Sequence, residues 1–126
     1  MGTNKVFGAF GECLAAKYLS ENGYKVLERN FCCRFGEIDI IAAHEETIIF
    51  IEVKTRSSEK FGMPSEAVSL TKQNRMVKIA LYYMQKNKLL DYMCRFDVLE
   101  IIVDEDNIKQ INLIKDAFQY SGKYGY

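Results

Sequence analysis

This chain is short of several residues that would mark a function class. Proline occurs once, at Pro64, and no run is rich in serine or glycine, so no linker, repeat or low-complexity segment is evident. Histidine also occurs once, at His44, and the four cysteines, at 13, 32, 33 and 94, form no C-x-x-C. That donor set argues against a zinc site. Adjacent Cys32 and Cys33 are not expected to bridge each other. Free thiols, with no secretory leader and no apolar run of membrane-spanning length, lead us to expect a cytoplasmic protein that does not enter the membrane. Net charge is missing too. Seventeen basic residues balance seventeen acidic ones, so bulk charge does not hold this chain on nucleic acid and any basic surface must be local.

What is present suits one domain, residues 1–126, with a single core: 126 residues at 48% apolar and 27% charged are ordinary for a globular chain. The most informative stretch runs from Gly36 to Arg56, two β-type runs either side of a polar turn. Alternation puts Ile49, Ile51 and Val53 on one face of the second run and Phe50, Glu52 and Lys54 on the other. On the first run Ile38 and Ile40 share a face, opposite Glu37, Asp39 and Ile41. An even-numbered loop centred between Glu45 and Glu46 pairs Ile41 with Phe50, Asp39 with Glu52, and Glu37 with Lys54; a one-residue slip would send the charges to the other face. Like charges opposed on a ladder destabilise it by roughly 0.2–1 kcal/mol when exposed, and more when screened from water. A divalent cation between them reverses that sign, and hard carboxylate oxygens are what Mg²⁺ accepts. Lys54 is placed to hold a water or a phosphate oxygen beside it.

Around this stretch the pattern reads α-β-β-β-α-β-β. A helix spans about Thr3 to Asn22, with Gly8, Gly11, Glu12, Ala15, Ala16 and Leu19 on one side, so that small residues let it approach a sheet with Glu12 pointing into the contact. Its other side is also apolar, which calls for cover on both sides or a partner chain. Gly23 ends it. A strand follows over Tyr24 to Asn30, then a loop from Asn30 to Phe35. Ser57 to Pro64, which contains Lys60, reads as a loop leaving the strand of Glu52 and within reach of substrate. Ser65 or Ser69 caps a second helix ending near Asn87, with Met76, Val77, Ala80, Leu81, Tyr83 and Met84 buried. Gln73 falls on the apolar side, as a satisfied boundary amide or near a scissile phosphate. Lys72, Arg75 and Lys78 make a solvated face or a phosphate track. Strands are expected over Arg95–Val103 and Ile108–Ile114, and Asp97 is expected to bind Arg95 or a backbone group rather than metal. The tail from about residue 119 is glycine- and tyrosine-rich and expected to fray.

Asp39, followed by Glu52-Val53-Lys54 on the next strand, resembles the D-(E/D)-x-K core of the restriction-endonuclease-like (PD-(D/E)xK) nucleases. The longer strings G-E-I-D-I-I, F-I-E-V-K-T-R and R-F-D-V-L-E-I resemble, more narrowly, the bacterial UPF0102 (YraN-like) family, itself similar to the archaeal Holliday junction resolvases. The likeness covers nearly the whole chain. It implies an α/β, restriction-endonuclease-like fold in which a central five-stranded mixed sheet is flanked by helices. It also implies hydrolysis of DNA phosphodiester bonds with Mg²⁺ or Mn²⁺, on branched DNA and as a homodimer. In that reading Asp39, Glu52 and the Val53 carbonyl hold the metal, Lys54 orients the attacking hydroxide, and Glu12 matches the first-helix glutamate that supports the metal. Arg56, Lys60, Lys72, Gln73 and Arg75 are the nucleic-acid contacts. The alternative is a nucleic-acid-binding module that keeps the nuclease fold without turnover.

Overall fold

The computed structural model describes residues 2–57, 68–105 and 107–119, with side chains from Phe10 on. The elements follow the expected order: α1 (Gly2–Glu21), β1 (Lys25–Cys33), β2 (Gly36–His44), β3 (Thr47–Ser57), α2 (Leu70–Lys86), β4 (Met93–Asp104) and β5 (Asn107–Ile114). The strands form one mixed sheet in the order β1-β2-β3-β4-β5. All neighbours are antiparallel except β3 and β4, which run parallel on either side of α2 in the chain. Parallel neighbours cannot be joined by a tight turn, so this pair requires the crossover that α2 supplies. Ser69, not Ser65, caps α2, its hydroxyl accepting the Lys72 N–H, and Asn87 ends the helix. Ser65, with Lys60 and the rest of 58–67, lies outside the described residues, as does the tail beyond 119. Among the described residues no helix is long and apolar enough to cross a membrane.

The two helices cover opposite faces of the sheet. Under α1, Ala15 and Leu19 pack on Ile40, Ile49, Ile51, Leu99 and Ile101. Under α2, Met76, Ile79, Tyr83 and Met84 pack on Ile41, Phe50, Phe96 and Val98. The alternation read from β3 therefore holds, and β4 alternates in the same way. Each fully buried Ile, Leu or Phe contributes roughly 1.5–3 kcal/mol, so this sandwich is the main source of stability. On α2, Leu81 is 39% exposed rather than buried, and Ile79, which the sequence pattern passes over, is fully enclosed. The buried stripe is thus rotated towards β2, where Ile79 lies against Gly36.

Two further expectations are corrected on β1 and β2. Where the sequence suggests a loop from Asn30 to Phe35, β1 continues to Cys33, and only Arg34 and Phe35 turn the chain. Asn30 has a left-handed φ of 54°, which asparagine tolerates better than most residues, and pairing resumes beyond it with Phe31 opposite Ile38. The alternation also breaks. Ile38 packs on the α2 side and Ile40 on the α1 side, although parity puts them together. On β1, likewise, Arg29 reaches Cys13 of α1 (3.2 Å) while Phe31 packs edge-on against Tyr83 of α2. Both strands change face at one level of the sheet, β1 at Asn30 and β2 at Asp39.

Asp97 meets the expectation from sequence. Its carboxylate is fully buried and accepts from Arg95 Nε and Nη2 and from the Asp116 N–H, each at 2.9 Å. It thereby ties β4 to the segment after β5. Removing one partner of a buried pair strands the other, so Asp97→Ala should lower unfolding free energy by about 3 kcal/mol, with Asp97→Asn costing less. Urea unfolding of both variants checks this; a loss below about 1 kcal/mol would mean that Arg95, whose side chain is 23% exposed, is satisfied by solvent.

Candidate functional site

The β2–β3 hairpin turns on Glu45 and Glu46, with Glu45 at φ 58°, and pairs Ile41 with Phe50, as an even-numbered loop requires. The ladder ends at Ile40 opposite Ile51. An unbroken ladder would next set Asp39 opposite Glu52, and then give the Val53 N–H to the Ile38 carbonyl. Instead the Val53 N–H donates to Asp39 Oδ2 at 2.8 Å. The predicted cross-strand partners, Asp39 with Glu52 and Glu37 with Lys54, are accordingly not ladder partners. The strands part at the residue where β2 changes face, and the Asp39 carboxylate takes a carbonyl's place as acceptor. Because the N–H and C=O of one strand residue face the same neighbour, the Val53 carbonyl is turned to this gap as well.

Three elements bring charged groups to the gap. Glu52 alternates with Phe50 and so stands on the α2 side, where Lys72 Nζ approaches its Oε2 to 2.6 Å. That oxygen is shielded from solvent yet accepts no well-directed hydrogen bond, so the lysine neutralises it without satisfying its geometry. Asp39, Glu52, Lys72, Arg75, Ile38 and Met76 line a cavity of about 10 Å³, room for one water-sized particle. Glu12 comes from α1, on the opposite face. Its neighbour Gly11 permits the approach, since a Cβ there would fall 2.6 Å from Thr55 Oγ1 of β3.

Asp39 registers all of these neighbours. Burial has the largest influence and pushes its carboxyl up to about 6; the Val53 N–H opposes this, the charges of Glu52 and then Glu12 add to it, and the Lys72 ammonium opposes it. Two repelling carboxylates, one with an unsatisfied buried oxygen, fit a small divalent cation, which asks for one or two carboxylates and completes its shell with water. Among the described residues no three His, Cys, Asp or Glu side chains are grouped to hold one ion, so Glu12 acts on the site through its charge.

The remaining predicted residues divide. Lys54 lies two residues beyond Glu52 on β3, partly buried. Arg56 is turned onto Glu100 of β4 at 3.0 Å, with only 17% of its side chain exposed. Gln73 donates from Nε2 to the Val68 carbonyl at 2.8 Å, as a boundary amide does. Arg75 is exposed, borders the cavity, and runs over Gly36, where a Cβ would meet its Cδ at 2.7 Å. Lys72 joins the site by a contact the sequence does not announce, because its partner Glu52 is twenty residues away on another element. The only local signal is its place three residues after the capping Ser69, in the first turn of α2.

The folded protein holds the Asp39 proton more tightly than the unfolded chain does. The stability this carboxyl contributes is therefore complete below about pH 3.8 and is lost as pH rises through about 6. Partial exposure reduces the effect to about 1–2 kcal/mol. Asp39→Asn keeps an acceptor for Val53 and removes the charge. It should match the unsubstituted protein near pH 4 and melt a few degrees higher at pH 7.5, without metal. Equal melting temperatures at both pH values would show that Asp39 carries no such strain.

Residues 11–101 match the model of the Uncharacterised protein family UPF0102. A UPF0102 protein of Caldicellulosiruptor bescii is 53% identical over 116 residues, covering 90% of this chain and 98% of that protein. UPF0102 proteins of Clostridium perfringens (strain ATCC 13124 / Type A) and Syntrophus aciditrophicus are each 50% identical, over 117 and 119 residues, covering 92% and 94% of this chain and 96% and 93% of those proteins. With the family model spanning most of the chain and relatives matched nearly end to end, this protein belongs to the UPF0102 family.

Proposed function

We propose that the protein is a divalent-cation-dependent endonuclease that hydrolyses DNA phosphodiester bonds, with branched, Holliday-junction-like DNA as its substrate class. The observation that carries this reading is the meeting of Asp39 and Glu52 in one cavity of water-molecule size, with a buried Glu52 oxygen lacking a directed partner. Asp39, Glu52 and the Val53 carbonyl would hold Mg²⁺ or Mn²⁺, which supplies a Lewis acid and a hydroxide at neutral pH. The protein's own groups do the rest. The Val53 N–H holds the Asp39 carboxylate in the gap between the strands. Lys54 orients the attacking oxygen and takes up charge that develops on the phosphate. Glu12 keeps the site electronegative from the α1 side. Arg75, at the cavity rim, is placed for the DNA backbone, and Lys60 and Lys72 are assigned to the same strand path, whereas Arg56 and Gln73 are engaged with Glu100 and the Val68 carbonyl. Paired cuts on a symmetric junction need two copies of the site, so a homodimer belongs to this reading.

The ion pair between Lys72 and Glu52 favours a second reading, a nucleic-acid-binding module without turnover, since a lysine already neutralises one of the two carboxylates. A cleavage assay over linear, flapped and four-way DNA with Mg²⁺ or Mn²⁺ separates the two. Under the nuclease reading Asp39→Ala and Glu52→Gln should each lose more than the roughly 10–100-fold that an outer-shell partner costs. At pH 7.5 the metal-free melting temperature of Asp39→Asn, which relieves the repulsion and keeps an acceptor for Val53, should hold or rise. Binding of DNA with no cut under any of these conditions would establish the second reading instead.

A further inference from the structure

The Lys72 ammonium stands where Glu52 has most use for a cation. Nζ lies 2.6 Å from Glu52 Oε2, and the two side chains are 37% and 15% exposed, so the lysine closes the cavity from its solvent side. The backbone of Lys72 is fixed, because Ser69 Oγ accepts its N–H at 3.2 Å, while its four-carbon stem has freely rotating torsions. No acidic residue shares the first turn of α2, so nothing on that turn competes for the ammonium. The contact is an ion pair without a well-directed hydrogen bond, and the partly exposed lysine has solvent to turn to if it leaves. The cavity of about 10 Å³ beside the ammonium holds one small particle, so a divalent cation there would lie next to Lys72, and like charge sets the two in competition for Glu52.

We propose that Lys72 is the resident counter-ion of this pocket, a positioning residue that holds Glu52 while no divalent cation is bound and gives it up when one binds. The inference rests on reading Asp39 and Glu52 as a cation site. Two consequences follow from the chemistry. Lys72 competes for Glu52, so the cation binds more weakly than the carboxylates alone would allow. Once displaced, the ammonium remains at the cavity mouth, tethered by α2, and becomes available to an anionic substrate only in the loaded site. Its positive charge is thereby withheld from phosphate until the site is assembled.

The test is a calorimetric Mn²⁺ titration of the unsubstituted protein, Lys72→Met and Lys78→Met, with metal-free melting temperatures of each. Lys78 is exposed on the same helix, so its variant removes an equal charge away from the pocket. Lys72→Met should bind Mn²⁺ about three- to tenfold more tightly, the range expected when an ion pair of this exposure no longer competes. Its metal-free form should melt lower, since Glu52 loses its partner. Lys78→Met should match the unsubstituted protein in both. If Lys72→Met folds poorly, the double variant Lys72→Met/Glu52→Gln, which removes both charges, should recover the metal-free melting temperature; failure to recover would mean that Lys72 supports the fold by packing and overturns the proposal. Mn²⁺ binding of equal strength in Lys72→Met and the unsubstituted protein overturns it while leaving the cation site standing. So does equal tightening in Lys78→Met, which would assign the effect to net charge. No Mn²⁺ binding in any form removes the cation site, and the counter-ion role with it.

Discussion

One hydrogen bond, from the Val53 N–H to the Asp39 carboxylate, organises the candidate site. Ordinary strand pairing would give that N–H to a backbone carbonyl and leave Asp39 to project from one face. The substitution of a side-chain acceptor for a backbone one has two results. It satisfies a partly buried donor that the end of the ladder would otherwise strand, and it keeps a carboxylate in the cleft between β2 and β3. The energy comes from elsewhere. Ile40 and Ile51 close the ladder on one side of the gap, and the packed faces under both helices hold the strands while the carboxylate sits in a place that burial and neighbouring charge make unfavourable.

This explains why the site draws on every part of the fold around it. Glu52 belongs to the α2 face of β3, Glu12 to a helix on the α1 face, and the Asp39 carboxylate lies between the strands, where both can act on it. Close approach of α1 depends on the bare Cα of Gly11 against Thr55, and close approach of Arg75 depends on Gly36 at the start of β2. The buried charges elsewhere in the sheet are matched: Asp97 with Arg95 and the Asp116 N–H, Glu100 with Arg56. Against that background the Asp39–Glu52 pair, in which Glu52 meets Lys72 without a well-directed hydrogen bond, is the place where the fold carries local frustration, as binding and catalytic sites do.

The order and type of the elements, the hairpin's even loop, the two faces of β3 and the Asp97–Arg95 pair were all legible in the chain. Each rests on short-range regularity. Alternation along a strand reflects its two-residue repeat, and Gly23, at φ 87°, ends α1 because few other residues reach that conformation cheaply. Family-like strings around Asp39 and Glu52 marked which polar residues to follow. Leu81 and Ile79 show the limit, since helical periodicity defines a stripe but not which flank of it meets the sheet.

What only the tertiary structure decided lies where a local rule is broken by a distant partner. The change of face at Asn30 and Asp39 has no signature in β2 alone. It arises because Phe31 and Ile38 find α2 while Arg29 and Ile40 find α1, and residues two apart on a strand cannot reach opposite faces without a kink. Lys72 was readable as a surface cation, and its partnership with Glu52 depends on how the crossover lays the first turn of α2 over β3. The sequence by itself determined the sheet, its hairpin and the presence of Asp39, Glu52 and Lys54 in neighbouring strands, through repeat lengths that any chain of this pattern must obey. The direction in which Asp39 points, and the cation that answers Glu52, were decided by packing between elements far apart in the chain, because side-chain charge is balanced by whatever the fold brings near.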